Sequence, residues 1–217
     1  MNNNLFVTKR NGEKEPIDLE KIHRVIDWAA AGLDDVSVSQ VEIKSHIQFY
    51  DGIKTEDIHE TIIKAAADLI SEETPDYQFL AARLAVFHLR KKAYGQFEPP
   101  NFYQHVVKMV KAGKYDEHLL ADYDESDFEH MSMFLHHSRD LNFSYAAMKQ
   151  LEGKYLVQNR VTGEIYESAQ FLYILVSACL FAKYPKATRM KYVEGFYNAI
   201  SLFKISLPTP IMASMLT

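Results

Sequence analysis

Several basic side chains in the first part of the chain are placed where they could hold an anionic ligand. Lys9 and Arg10 directly precede an Asn11–Gly12 pair, which predicts a tight hairpin turn. Lys21 lies in the helix predicted to follow this hairpin, and Lys91 lies near the end of a later helix. If the hairpin folds over one end of a helical cluster, these cations converge on the phosphates of a nucleoside triphosphate, because lysine and arginine bind phosphate through charge-assisted hydrogen bonds.

Other side chains extend this candidate site. Glu15 and Ile17, on the returning strand of the hairpin, are placed to contact the nucleobase. His59 follows Thr55 by one turn in a third predicted helix, whose N-terminal amides could also bind phosphate. His88 lies one turn before the lysines that end the fourth helix.

The same lysines have a simpler interpretation as a solvated surface. Lysines in the last turn of a helix complement the helix dipole, and scattered lysines are usually exposed. The chain has no Walker glycine loop and no GxGxxG sequence. Charge alone therefore favours the surface interpretation and leaves the nucleotide site as the alternative.

Composition narrows the classes of function. The net charge of −5 gives no overall attraction for nucleic acid or an anionic membrane, so any anion must be held by a local cluster of cations. The longest apolar run, residues 171–182, is shorter than the roughly 20 residues that a membrane helix needs. The first residues do not resemble a signal peptide, so we expect a cytoplasmic protein.

Cysteine and histidine patterns predict no metal site. Cys179 is the only cysteine, which excludes a CxxC pair and a cysteine-rich zinc ribbon, and its apolar neighbours predict an inert buried thiol. The His136–His137 pair is predicted to lie in a solvated loop. The acidic stretch from Asp116 to Asp127 lacks the spacing and the glycine of an EF-hand.

The predicted elements are mainly helical and divide the chain into residues 1–95 and residues 96–217. In the first part, a hairpin precedes a cluster of four helices and covers it as a small lid. Thr74 and Pro75 open the fourth helix, and Gly95 ends it. The first three helices are predicted to begin at Asp18, at Ser39 with Glu42 completing a capping box, and at Thr55.

The second part follows a Glu98–Pro99–Pro100 linker and is predicted to be helical with one more hairpin. The hairpin is predicted over residues 155–167. The segment 204–212 contains two prolines and is predicted to be extended. Helices are predicted over 102–112, 123–135, 170–183 and 188–203, with a short strand or turn near residues 49–52 of the first part.

Long segments of the chain resemble one protein family. Residues 7–22, 55–60 and 81–85 are similar to the ATP-cone, the module that senses ATP and dATP in ribonucleotide reductases. Residues 95–100, 155–167 and 206–212 resemble class Ia large subunits of these enzymes. The resemblance covers nearly the whole chain.

This resemblance implies an allosteric region of a ribonucleoside-diphosphate reductase, which makes deoxyribonucleotides for DNA replication. It implies ATP or dATP as effector, with Mg²⁺, and a radical-bearing small subunit and the rest of the large subunit as partners. Thr209 corresponds to a position that touches substrate in the complete enzyme. The implied nucleotide contacts are Lys9, Arg10, Glu15, Pro16, Ile17, Asp18, Leu19, Glu20, Lys21, Thr55, His59, His88 and Lys91.

The resemblance also predicts that these 217 residues cannot carry out the reduction by themselves. In the family, the catalytic cysteines and their neighbours lie on a ten-stranded barrel that follows this region. Cys179 corresponds to none of them, so we expect no catalytic residue and no redox cofactor here. Two alternatives are a cone-containing DNA-binding regulator, which a single cysteine disfavours because such regulators use a zinc ribbon, and a helical interaction module that binds no nucleotide.

Overall fold

The computed structural model describes residues 5–214, which form two compact units. The first unit comprises the described chain up to His88 together with Leu141–Met148, and the second comprises Leu89–Asp140 together with the chain from Lys149 onwards. Both units are mainly helical with a small sheet each, as the sequence predicted. Over the described residues, no helix combines the length and the apolar character needed to cross a membrane.

The sheet of the first unit contains three short strands in the order β2-β1-β3. Strand β1 (Phe6–Thr8) pairs antiparallel with β2 (Lys14–Pro16) and parallel with β3 (Ile53–Lys54). Gly12 has φ +85°, a conformation that glycine adopts without strain, and this confirms the predicted turn. The third strand lies just after the segment where a strand or turn was predicted.

Four helices pack around this sheet through apolar side chains at helical spacing, such as Ile22 and Ile26 or Ile58 and Ile62, which are all buried. The guanidinium of Arg83 donates to the carbonyls of Ala29 and Ala31 at the end of the first helix. The helices are α1 (Leu19–Ala30), α2 (Val38–His46), α3 (Thr55–Ala67) and α4 (Tyr77–Tyr94), and the last runs on into the second unit.

Of the four residues predicted to cap the helices of the first unit, Asp18 was correct and the other three were wrong. Asp18 caps α1, but α2 begins two residues before the predicted position, with Ser37 as its cap instead of Ser39. Thr55 is the first residue of α3 and donates its hydroxyl to the Thr8 carbonyl, so it does not cap the helix. Thr74 donates to the Leu69 carbonyl, and α4 begins only after a turn at residues 75–76.

The second unit is built around α9 (Ala169–Phe181), whose first ten residues are all buried. Antiparallel strands β4 (Gln158–Asn159) and β5 (Glu164–Ile165) form the predicted second hairpin. The remaining elements are α5 (Phe102–Lys111), α6 (His118–Asp122), α7 (Glu125–Phe134), a 3₁₀ segment (His137–Asn142), α8 (Tyr145–Gln150), which begins in the first unit, a π-helical turn (Leu151–Tyr155), α10 (Lys186–Ser201) and α11 (Thr209–Ser214).

Two predictions for the second unit were wrong. The segment expected to be extended contains α11, since Pro210 lies in the first helical turn, where no N–H donor is needed, and the N–H groups of Ile211 and Met212 donate to the Pro208 carbonyl. His137 does not lie in a solvated loop. Its half-buried ring packs edge-on against Phe171, and burial lowers its pKa to about 4.

Candidate functional site

The hairpin of the first unit holds the first predicted phosphate contact. The Lys9 ammonium lies 2.7 Å from a carboxylate oxygen of Glu15, and both side chains remain about two-fifths and one-third exposed. The Glu15 carboxylate raises the pKa of Lys9, mainly through their hydrogen bond. Lys9 is therefore protonated at neutral pH and open to solvent, but an anionic ligand would compete with Glu15 for its charge.

The predicted nucleotide contacts from Pro16 to Lys21 lie where the chain passes from β2 into α1. Pro16 ends β2, and the Ile17 N–H donates to the Leu5 carbonyl. Asp18 accepts the backbone N–H of Lys21 at 3.1 Å, which lowers the pKa of the Asp18 carboxyl, and the Lys21 ammonium lies 3.5 Å from the same carboxylate. Leu19 and Glu20 are exposed in the first turn of α1.

The start of α3 lies against the end of β1. The Thr55 hydroxyl donates to the Thr8 carbonyl at 3.5 Å, and Thr8 is paired with Lys54 in the parallel register. Thr8 directly precedes Lys9, so the backbone places Thr55 next to the hairpin. His59 lies one turn after Thr55, on the same face of α3.

Aromatic and imidazole rings form a row beyond Thr55. The His59 ring centroid lies 5.4 Å from that of Phe87 and 5.7 Å from that of His88. Trp28, on α1, lies 5.9 Å from Phe87 on the same row. Phe87 is half-buried, and its contact with His59 had no signal in the sequence, because it depends on how α3 and α4 cross.

Two carboxylates that sequence analysis did not select lie beside this row. Glu56 and Glu60 are four residues apart on α3, and the Glu60 carboxylate lies 3.9 Å from Nε2 of the buried His88. The spacing of Glu56 and Glu60 in the sequence indicated a shared helix face. Their approach to His88 on α4 had no signal in the sequence.

Three further predicted residues lie in the hairpin turn, in α4 and in α11. Arg10 is exposed in the hairpin turn, and Lys91 is half-buried on α4, three residues beyond His88, in the part of the helix that belongs to the second unit. Thr209 is the first residue of α11, and its hydroxyl lies 3.1 Å from the Tyr155 hydroxyl.

Comparison with known proteins defines the class. Residues 5–92 match the ATP cone domain, and residues 141–217 match the all-alpha domain of ribonucleotide reductase. A cone domain together with an all-alpha reductase domain is the N-terminal organisation that the sequence resemblance predicted. The chain therefore contains regions similar to both domains, and over its whole length it is similar to the N-terminal region of ribonucleotide reductase large (alpha) subunits.

The similarity to individual relatives extends over the whole chain. The chain is 74% identical over 217 residues to ribonucleoside-diphosphate reductase 1 subunit alpha of Escherichia coli (strain K12). It is 73% identical over the same length to the corresponding subunit of Salmonella typhimurium. The subunit alpha of Enterobacteria phage T4 is 44% identical over 213 residues, or 97% of this chain. The chain spans 28% of the length of each of these three relatives.

Proposed function

We propose that this chain is the ATP- and dATP-sensing N-terminal region of a ribonucleoside-diphosphate reductase. The observation that carries the proposal is the match of residues 5–92 to the ATP cone domain. In that same segment, the Thr8–Thr55 contact joins the hairpin cation Lys9 to the helix that carries His59. The holoenzyme would reduce ribonucleoside diphosphates, and this region would control it.

The residues of the first unit suit an adenine nucleotide in two respects. Solvent-accessible cations at the hairpin and at the start of α1 suit a triphosphate, since Lys9 and Lys21 are paired with exposed or half-exposed carboxylates. The flat rings of Trp28, Phe87 and His59 suit a nucleobase or ribose. Mg²⁺ would accompany the phosphates and offset the charges of Glu15 and Asp18.

ATP and dATP differ by one 2′-hydroxyl group, so the two effectors must act through different poses or different occupancy. A ligand shifts an equilibrium only through its different affinities for the two states. We propose that dATP favours a state in which the cone binds the radical-bearing small subunit and suppresses activity, whereas ATP permits it. The cytoplasmic location expected from the sequence stays a prediction.

We further propose that these residues perform no reduction without the rest of the large subunit. Burial raises the pKa of the Cys179 thiol to about 12, so this cysteine is almost entirely protonated at neutral pH. A thiol in that state is a poor nucleophile. The redox cysteines, the substrate site that Thr209 would join and the radical pathway therefore belong to the complete enzyme.

The test is calorimetric titration of the chain with dATP, ATP and GTP in the presence of Mg²⁺, with the fluorescence of Trp28 followed in parallel. We expect saturable binding that is selective for adenine. Lys9→Ala should weaken it by about tenfold or more, because a hydrogen bond to a charged group contributes about 1.5–3 kcal/mol.

Lys14→Ala is the matched control for this substitution. Lys14 is exposed on the same hairpin, pairs with Thr8 across the strands and is not among the predicted contacts. If the Lys9→Ala and wild-type chains bound the nucleotide with equal affinity, Lys9 and its hairpin would not be part of the binding site. Absence of saturable binding by any nucleotide would favour the helical interaction module instead.

A further inference from the structure

The first unit contains a cluster of two carboxylates and one imidazole on facing helices. Glu56 and Glu60 lie one turn apart on α3, and His88 reaches them from α4. One candidate ligand atom from each of the three residues lies within 4.8 Å of the other two. We propose that Glu56, Glu60 and His88 form a binding site for a divalent transition metal ion, with Zn²⁺ as the best match.

The separation of the ligand atoms suits an ion between them. The Nε2 atom of His88 and the Oε1 atom of Glu60 are 3.9 Å apart, which is too long for a hydrogen bond. Zinc binds imidazole nitrogen and carboxylate oxygen at about 2.0–2.2 Å each, so two ligands of a tetrahedral ion lie about 3.4 Å apart, close to the observed separation. An ion can therefore lie between these two atoms with little movement.

The cluster combines one rigid ligand with one adjustable ligand. The His88 side chain is only 5% exposed, and its ring lies against His59, so its position is fixed by packing. The Glu60 side chain is 64% exposed and can rotate toward the ion. Glu56 shares its helix face through the i,i+4 spacing, which is a recurrent way for helices to present two metal ligands.

The chemistry of these ligands selects the metal. Imidazole nitrogen favours zinc and its transition-metal neighbours, whereas Mg²⁺ prefers an octahedral shell of oxygen atoms and keeps most of its water. Three protein ligands also leave at least one position open for water or an anion. The site thus differs in kind from the Mg²⁺ that accompanies a nucleotide, and sequence analysis predicted no such site.

The experiment is a titration of the metal-free chain with Zn²⁺, without nucleotide, by calorimetry, and a parallel titration with Co²⁺ by visible absorption. We expect saturable binding of one ion per chain that millimolar Mg²⁺ does not displace. Glu60→Gln and Glu56→Gln should each weaken binding by about tenfold or more, because loss of even an indirect metal contact costs about that much.

Two control variants address other sources of binding. Glu129→Gln removes an exposed carboxylate from α7 of the second unit and should bind Zn²⁺ like the wild type. His118→Asn removes the exposed imidazole that lies 2.8 Å from Asp116, the most evident competing pair, and should also leave the affinity unchanged. Wild-type affinity in Glu56→Gln and Glu60→Gln, or loss of binding in His118→Asn, would overturn the proposal.

The metal proposal and the nucleotide proposal can fail separately. His88 is both a predicted nucleotide contact and a proposed metal ligand, whereas Glu56 and Glu60 are not among the predicted nucleotide contacts and Lys9 is not a proposed metal ligand. Lys9→Ala should therefore bind Zn²⁺ like the wild type, and its loss of Zn²⁺ binding would contradict the assignment. If the chain binds Zn²⁺ but no nucleotide, the result supports the metal site and contradicts only the proposed nucleotide effector.

Discussion

The hydroxyl of Ser37 caps the N-terminus of α2. It accepts the backbone N–H of Gln40 at 3.3 Å, while the Ser37 N–H donates to the Tyr77 hydroxyl. The side chain of Glu42, which a capping box would turn back toward the helix start, instead accepts a hydrogen bond from His23 at 2.8 Å and raises the pKa of that histidine. The helix therefore begins with Ser37 as its cap, two residues before the start that the capping-box pattern predicted.

Replacing this cap should cost stability, and its neighbour provides the control. Ser37→Ala should lower the free energy of unfolding by about 1 kcal/mol, because it leaves a helix N-terminal N–H without its acceptor. Ser39 is exposed, so Ser39→Ala should change stability by less than about 0.5 kcal/mol. Urea denaturation followed by circular dichroism measures both, and an equal loss in the two variants would refute Ser37 as the cap.

At the scale of elements, a buried carboxylate holds the second hairpin in place. Glu167 follows β5 and is fully buried, and its oxygens accept hydrogen bonds from the Val157 N–H at 2.8 Å and the Tyr115 hydroxyl at 2.7 Å. Burial raises the pKa of Glu167 to about 7, and the two hydrogen bonds only partly oppose this. The Glu167 carboxyl, which titrates near neutral pH, therefore joins the start of the hairpin at Val157 to the loop after α5 at Tyr115.

This raised pKa predicts a pH dependence of stability. The carboxyl ionises near 4.5 in the unfolded chain and near 7 in the folded one, so stability is fully present below pH 4.5 and falls as the pH rises to about 7. Glu167→Gln removes this dependence. Between pH 4.5 and pH 8, the free energy of unfolding of the wild type should therefore fall by up to about 3 kcal/mol relative to that of the variant. Urea denaturation of both chains across this range tests it, since all other titrating groups cancel in the comparison. A pH-independent difference would contradict a raised pKa.

At the scale of the whole molecule, the first unit exposes apolar side chains at the end of α2. Ile43 and Ile47 are 65% and 80% exposed, and Tyr50 in the following loop is 58% exposed. Exposed apolar residues that lie close together often mark a protein contact. We expect this end of the cone, including residues 49–52, to contribute to binding the small subunit in the presence of dATP.

Ile47→Ser tests this contact because Ile47 packs against little within its own unit. The variant should bind the small subunit about tenfold more weakly with dATP present, as expected for truncation of an interface residue worth more than about 1 kcal/mol, and should bind dATP like the wild type. Val161→Ser removes an aliphatic side chain that is 95% exposed in the second hairpin and serves as the control. Equal binding of both variants, or no binding by the wild type, would exclude this surface.

Interactions within a few residues of each other were predictable from the sequence. Apolar spacing located the long helices, the Asn11–Gly12 pair located the first turn, and Gly95, with φ +75°, ended α4 as predicted. The resemblance to the ATP-cone was also predictable, because the residue types in the segments that resemble it follow each other in the same order as in that module. These features depend on local backbone preferences, which each segment expresses without the others.

Contacts between distant segments depended on the path of the folded chain. The pairing of β3 with β1, the bond from Thr55 to Thr8 and the approach of Glu60 to His88 join residues 28 to 47 positions apart. Ser37 and Ser39 are the same residue type, and contacts made in the folded chain distinguish them: the Ser37 N–H donates to the Tyr77 hydroxyl, and Glu42 accepts from His23. Local preference could not predict such pairs, because the free energy that selects them comes from burial and hydrogen bonding after the helices have packed.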